Sequence, residues 1–127
     1  MVHDGQSLWV AAGALDVRLS PVFNDRGLLR FFDSQWSNFD RNTTEAFYGR
    51  DNVLRTFDDV TNIVGVGRNP VTNEIWGTSY YEGAVSLNLE TEEFTLHDET
   101  NSSLQNADGE SDGRVRVGNV AFDAQGN

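Results

Sequence analysis

The sequence predicts an all-β chain of short antiparallel strands, and three observations carry that expectation. Short β-branched and aromatic runs are punctuated by Gly, Asn and Asp clusters, the pattern of strands joined by turns. Val85, Leu87 and Leu89 alternate with Ser86 and Asn88, the period of two that marks a half-buried strand. The third observation is a repeat. Asn62-Ile63-Val64-Gly65-Val66-Gly67-Arg68-Asn69-Pro70-Val71-Thr72-Asn73-Glu74-Ile75-Trp76 recurs in large part as Val117-Gly118-Asn119-Val120-Ala121-Phe122-Asp123-Ala124-Gln125-Gly126-Asn127. Asp4-Gly5-Gln6-Ser7-Leu8-Trp9-Val10 is a further partial copy. The turn residues Gln6, Asn73 and Asn127 of the three copies lie 67 and then 54 positions apart. Such a period belongs to β-propellers and other repeat arrays, so the expected fold is a fragment of a β-propeller, about two four-stranded antiparallel blades.

Blade strands are conventionally lettered A to D from the central channel outward. Leu8 to Ala12 reads as strand B of a first blade, Leu28 to Phe32 as C and Trp36 to Phe39 as D, with Ser34-Gln35 at the C to D turn. This blade, residues 8–39, is expected to lack its strand A. The second, residues 63–97, reads as complete: A at Ile63 to Arg68, B at Glu74 to Thr78, C at Ala84 to Leu89 and D at Phe94 to His97. Asn69-Pro70-Val71-Thr72-Asn73 supplies its A to B turn, since proline fixes φ and asparagine tolerates a left-handed backbone. Residues 117–123 then read as strand A of a next blade. Trp9, Trp36, Trp76 and Phe94 recur at blade-equivalent positions, which marks them as inter-blade core.

Composition narrows the possible roles. Twenty acids against nine bases give a formal charge of −11, which opposes nucleic acid because phosphates would be repelled. No cysteine is present, so neither a disulfide framework nor a thiolate metal site is available. No stretch approaches the ~20 apolar residues of a membrane-spanning helix. Met1-Val2-His3-Asp4 lacks the basic and then apolar profile of a signal peptide.

Strand parity places the B to C and D to A connections on one rim of the disc and the short A to B and C to D turns on the other. The first rim would receive residues 13–27, 40–62, 79–83 and 98–116, and unequal loops of this kind carry function. Phe47-Tyr48-Gly49-Arg50 and Tyr80-Tyr81 fall in these loops. Aromatic rings beside a cation suit sugar rings and their anionic substituents, so Phe47, Tyr48, Arg50, Tyr80 and Tyr81 are the candidate ligand-binding residues. Arg18, Arg26, Arg41, Arg55 and Arg114 lie on or near the same rim. Asp108-Gly109-Glu110-Ser111-Asp112-Gly113 spaces three carboxylates as a short calcium loop does, so Asp108, Glu110 and Asp112 are candidate calcium ligands. The continuation departs from an EF-hand, because Arg116 and Asn119 stand where its later ligands would be, and a solvated acidic loop is the simpler reading. His3 and His97 have no Ser, Cys or acidic partner at a recognisable spacing, and no catalytic set emerges from the sequence. The chain reads as non-catalytic.

At Leu8-Trp9-Val10, Glu74-Ile75-Trp76 and Phe122-Asp123-Ala124-Gln125-Gly126-Asn127, the chain resembles the two-component-regulator type of propeller repeat. Gly27-Leu28-Leu29-Arg30-Phe31-Phe32 with Trp36 resembles the strand C to D portion of that repeat. Gly77 and Asn69 depart from it, standing where a larger aliphatic residue and an Asp are usual. More narrowly, residues 8–32 and 101–127 are similar to the PorZ-type propellers of the type IX secretion machinery of Bacteroidetes. The resemblance implies a periplasmic or cell-surface protein that binds anionic lipopolysaccharide and delivers it to the sortase, with no chemistry of its own. The alternative it leaves open is the periplasmic glycan-sensing propeller of a hybrid two-component histidine kinase.

Overall fold

A computed structural model of the chain describes residues 1–44, 46–48, 52–106 and 114–127. Among these the fold is all-β, with one 3-10 turn at Phe57–Asp59 and no α-helix. Ten strands occur: β1 (Val2–His3), β2 (Leu8–Ala11), β3 (Leu28–Phe32), β4 (Gln35–Phe39), β5 (Phe47–Tyr48), β6 (Leu54–Arg55), β7 (Ile63–Arg68), β8 (Glu74–Ser79), β9 (Ala84–Asn88) and β10 (Phe94–His97). They form two four-stranded antiparallel meanders, β1-β2-β3-β4 and β7-β8-β9-β10, with a small β5-β6 hairpin between them in sequence. The expected B, C and D strands of both blades stand within a residue or two of their bounds.

Two expectations are corrected. The first blade does have the end of a strand A, because Val2 and His3 pair with Trp9 and Leu8. Residues 117–123 pack against the second blade but form no strand.

Ladder register makes the two blades superimposable residue by residue. Leu28 pairs with Phe39 and Ala11 in the first blade, as Ala84 pairs with His97 and Thr78 in the second. Trp9 therefore corresponds to Trp76, Phe31 to Leu87, and Trp36 to Phe94. Each strand alternates faces, so every blade has one face carrying Trp9 or Trp76 and an opposite face carrying Trp36 or Phe94. Blades stack face to face. Trp9, Leu28 and Phe39 of the first cover Ile75, Leu87, Phe94 and Leu96 of the second, with the Trp9–Phe39 and Phe39–Phe94 rings 5.4 and 5.7 Å apart. Gly77 sits in this seam, where an added Cβ would lie 3.1–3.4 Å from Ile63, Val85 and Leu28, so the departure noted in the sequence makes room for close blade approach.

Trp36 is a third correction. It lies at the expected blade position, yet it is exposed, because the face of the first blade that carries it has no neighbour among the described residues.

Hydrogen-bonded turns repeat as faithfully as the strands. In the A to B turns, Asp4 accepts from the N–H groups of Gln6 and Ser7, Asn69 from Val71 and Thr72, and Asp123 from Gln125 and Asn127. Asp4 has a second oxygen, which accepts the Trp9 indole N–H at 2.7 Å. An asparagine has only one, and Asn69 spends its amide donor on the Gly126 carbonyl. The buried Trp76 indole N–H is correspondingly without a partner.

After strand D, Asp40 and Asp98 each open a capped turn. The Asp40 N–H donates to Thr43 Oγ1 and the Asp98 N–H to Asn101 Oδ1, while Thr43 and Asn101 reach back to the carbonyls of Asn38 and Leu96. Gly27 and Gly83 start the facing C strands at φ of 63° and 83°, and a Cβ there would lie 2.0 and 2.2 Å from the carbonyl oxygens of Phe39 and His97.

Gly27→Ala and Gly83→Ala are each expected to cost about 2–4 kcal/mol in urea unfolding, since strain and overlap with backbone combine. A loss below ~0.5 kcal/mol would contradict the close approach described.

Burial alone would raise the Asp4 carboxyl. The hydrogen bonds from Trp9, Ser7 and Gln6, with the charge of Arg30, outweigh it and hold the group below its ordinary value of 3.8. Asp40 is likewise lowered: burial opposes ionisation, but bonds from Asn42 and Thr43 prevail. Depressed carboxyls stabilise the fold above their unfolded pKa, and the contribution disappears as pH falls through the lower folded value. Stability is therefore expected to drop from about pH 4 downward. Asp4→Asn, which leaves the Trp9 indole N–H facing another donor, should cost about 1–3 kcal/mol at pH 7 and flatten that acid limb. Asp33→Asn, at the exposed β3–β4 turn, should leave stability at pH 7 nearly unchanged. Equal effects of the two substitutions would refute the assignment.

Candidate functional site

The loops that follow the second strand of each blade, with the segment after residue 113, converge on Tyr81. Ser79 sets the local geometry. Its fully buried hydroxyl accepts the N–H groups of Tyr81 and Glu82 at 3.1 and 3.0 Å, and its hydrogen lies within reach of the Thr61 carbonyl and the Glu82 carboxylate. One side-chain oxygen thus closes the 79–83 loop and projects Tyr80 and Tyr81, whose rings meet edge to face at 5.5 Å. With both acceptor sites filled and no exposure, Ser79 is a structural hydroxyl.

Val115 comes alongside this loop. It forms a parallel bridge with Glu82, its carbonyl accepts the Gly83 N–H, and Val117 donates to Ser79 O. Val115 is buried, so its extended neighbours Arg114 and Arg116 share the opposite, solvent side. Their guanidinium carbons lie 5.1 and 5.5 Å from the Tyr81 ring centre, within cation–π range. Phe23 stacks on the same ring at 5.5 Å with planes only 11° apart.

Phe23 is held there by its neighbour. Asn24 donates to Ala12 O, its carbonyl accepts the Asn62 N–H, and the buried Asn62 side chain accepts from Ala14. Phe23 itself adopts a φ of 52°, which costs an L-residue ~1 kcal/mol. It remains 64% exposed, so one ring stacks against Tyr81 while much of its surface meets water. Two aromatic rings, a further tyrosine and two planar cations therefore occupy one small patch on the long-loop rim.

The sequence candidates are not all brought together. Tyr80 and Tyr81 form the centre of this patch. Phe47 is buried instead, its ring 5.7 and 5.8 Å from those of Phe57 and Phe94. This hydrophobic anchor pulls the β5-β6 hairpin down the outer edge of the second blade, so the 40–62 connection does not stay on the long-loop rim. Tyr48 is exposed there, lining a cleft of about 500 Å³ with Thr43, Glu92, Glu93 and Phe94. Arg50 lies outside the described residues, as do Asp108, Glu110 and Asp112. Among the described residues no group of three or more metal-ligating side chains is placed to hold an ion. No helix among them is long and apolar enough to cross a membrane.

Phe23 and Arg116 were missed by the sequence reading. The only cue to Phe23 is an apolar run, Pro21-Val22-Phe23, inside a polar loop. Ser86 and His97 also meet, at 2.9 Å, because their strands place them diagonally on one face; the pair is buried, with His97 stacked on Trp76 at 4.4 Å. A substrate has no approach to that pair, which serves the packing of the second blade. Of the remaining arginines, Arg41 bridges Asp25 and Asp58 at the surface, whereas Arg55 pairs with Asp98 at 3.2 Å with both side chains largely buried, tying the hairpin to the capped turn.

A second cavity, about 220 Å³, opens between the blades near their short turns and is lined by Asp4, Gln6, Arg30, Asn73 and Glu92 among others. Both this cavity and the Tyr48 cleft carry two carboxylates, which disfavours anions. At the Tyr81 patch two of the chain's nine arginines stand beside the rings, and the Glu82 carboxylate of the same loop is engaged by Ser79 and Thr61.

No protein-family model, no curated protein and no solved structure matches this chain.

Ser79→Ala would strand the N–H groups of Tyr81 and Glu82, with an expected cost of about 1–3 kcal/mol. Urea denaturation with Ser103→Ala, at an exposed turn position, as the comparison measures it; no loss at Ser79 would mean that the loop is held by other contacts.

Proposed function

We propose that this chain is a non-catalytic recognition module of a bacterial envelope protein, and that the Tyr81 patch binds an anionic glycan. Its resemblance to PorZ-type propellers makes lipopolysaccharide the ligand class, periplasm or cell surface the location, and the sortase of type IX secretion the partner that receives the ligand. The observation that carries the reading is the stack of Phe23 on Tyr81 beside the Arg114 and Arg116 guanidinium groups. Ring faces suit the apolar side of a sugar, and planar guanidinium groups make paired, charge-assisted hydrogen bonds to carboxylate or phosphate substituents. A formal charge of −11 does not oppose this, because a local field is set by the groups nearest the ligand.

Binding is to be measured by calorimetry with purified anionic lipopolysaccharide and with a neutral glycan. The intact chain should prefer the anionic ligand, and Phe23→Ala or Arg116→Ala should each weaken it about tenfold, a loss equivalent to one charge-assisted contact. Raised salt should weaken the arginine-dependent part. Tyr48→Ala, away from the patch, should have no effect. No affinity for the anionic ligand, or equal sensitivity to Tyr48→Ala, would overturn the assignment.

A further inference from the structure

We propose that the finger formed by residues 14–22 inserts its apolar tip into an anionic lipid surface. Between Leu15 and Phe23 five large apolar residues are exposed, namely Leu15, Val17, Leu19, Val22 and Phe23, with Val17 at 100% and Leu19 at 69%. Single apolar residues scattered over a surface need no explanation, but a contiguous set on a projecting loop marks a surface that is covered in use. The finger is held in shape by its own bonds. Leu15 bridges Pro21, the Asp16 N–H donates to the Ser20 carbonyl, the Val22 N–H donates to the Ala14 carbonyl, and the Leu19 N–H closes a turn on the Asp16 carbonyl. The Asp16 carboxylate accepts the N–H groups of Arg18 and Ser20 at 2.8 and 2.9 Å. A three-residue loop of this kind places its last residue in the left-handed region, where glycine is the strain-free choice. Leucine stands there instead, at a φ of 61°, and Phe23 at the base has a φ of 52°. Backbone strain is thus accepted at two residues whose apolar side chains face water.

Shape and charge identify a lipid surface as the occupant. The apolar side chains sit on one narrow hairpin, whereas a protein interface of ordinary size needs about 800 Å² of matched surface on each partner. An acyl layer is fluid and closes round a narrow tip without a matching pocket. Val17 stands two residues beyond the Leu15 bridge, at most ~7 Å of chain, and interfacial segments lie ~5–10 Å deep at the boundary of headgroups and acyl chains. Arg18 is beside the tip and Arg26 at the base; both are exposed, and among the described residues neither guanidinium group has an acceptor. Of the nearby carboxylates, Asp16 is engaged in its own loop and Asp25 is held by Arg41 at 2.9 Å. The unpaired charge on the finger is therefore positive, and each arginine close to an anionic leaflet favours binding. Acids elsewhere on the chain, beyond the Debye length of ~8 Å at physiological ionic strength, are largely screened from that leaflet. This inference does not rest on the glycan reading, because insertion needs no sugar.

Sedimentation with sugar-free vesicles tests the proposal. The chain should partition onto vesicles of phosphatidylglycerol and phosphatidylcholine in equal parts, and bind about tenfold less to phosphatidylcholine alone. Val17→Asp combined with Leu19→Asp should weaken binding to the anionic vesicles at least about tenfold, and Arg18→Gln combined with Arg26→Gln about tenfold. Both variants should keep the melting temperature of the original chain, because all four side chains are exposed. The chain has no cysteine, so Val17→Cys carries a fluorescent probe at one place. Lipids brominated in their acyl chains should quench that probe and leave the same probe at exposed Tyr48→Cys unquenched. No partition onto the anionic vesicles, an unquenched probe at position 17, or undiminished binding after Val17→Asp with Leu19→Asp would overturn the proposal. Self-association that this double substitution abolishes, with vesicles left unbound, would assign the tip to a second copy of the chain and overturn it equally.

Discussion

Burial of one blade face against the next is the interaction on which the rest of this molecule depends. A four-stranded meander has two faces, and neither blade here is thick enough to hide its aromatics by itself. The seam joins Trp9, Leu28 and Phe39 to Ile75, Leu87 and Phe94, and the long 40–62 connection adds Phe47 and Phe57 to the same cluster. At ~25 cal/mol per Å² of apolar surface removed from water, a few large aromatic side chains account for much of the stabilisation available to a domain of this size. Where the seam must be tight, the chain uses glycine at position 77. Where no described segment covers the face, as at Trp36, the same residue types are exposed.

Polar detail is arranged to keep these faces in register. Asp4, Asn69 and Asp123 cap equivalent turns, and Asp40 and Asp98 cap a second equivalent pair. Each satisfies backbone N–H groups that a tight turn would otherwise leave unpaired. The carboxylates at positions 4 and 40 are consequently held ionised below the usual range, which links the fold to acid pH. Position 69 shows the limit of a conservative exchange. An amide reproduces the turn but has no second acceptor, so the indole of Trp76 loses the bond that Trp9 keeps.

The loops inherit their placement from this scaffold. Ser79 fixes the 79–83 loop, Val115 brings two arginines beside it, and the Asn24–Asn62 connection holds Phe23 against Tyr81. None of these contributors is near another in sequence. Their meeting follows from adjacent blades sharing a rim, and the arrangement gives an acidic chain a small patch where arginines and aromatic rings meet.

The sequence by itself determined the seven longer strands, β2 to β4 and β7 to β10, and their order, because these reside in local patterns: period-two alternation, turn residues at fixed offsets, and a repeated phrase. It also identified Tyr80 and Tyr81 as loop aromatics. It did not reveal the second family of capped turns, although Asp40-Arg41-Asn42-Thr43-Thr44 and Asp98-Glu99-Thr100-Asn101-Ser102 carry the signal in side-chain function rather than identity. Only tertiary structure decided that Phe47 is core while Trp36 is exposed, that the β5-β6 hairpin leaves the long-loop rim, and that Phe23, Arg114 and Arg116 gather on Tyr81. The physical reason is that burial and long-range contact depend on which face has a neighbour. That is a property of how the sheets stack, whereas strand pairing and turn geometry are fixed by residues close together along the chain.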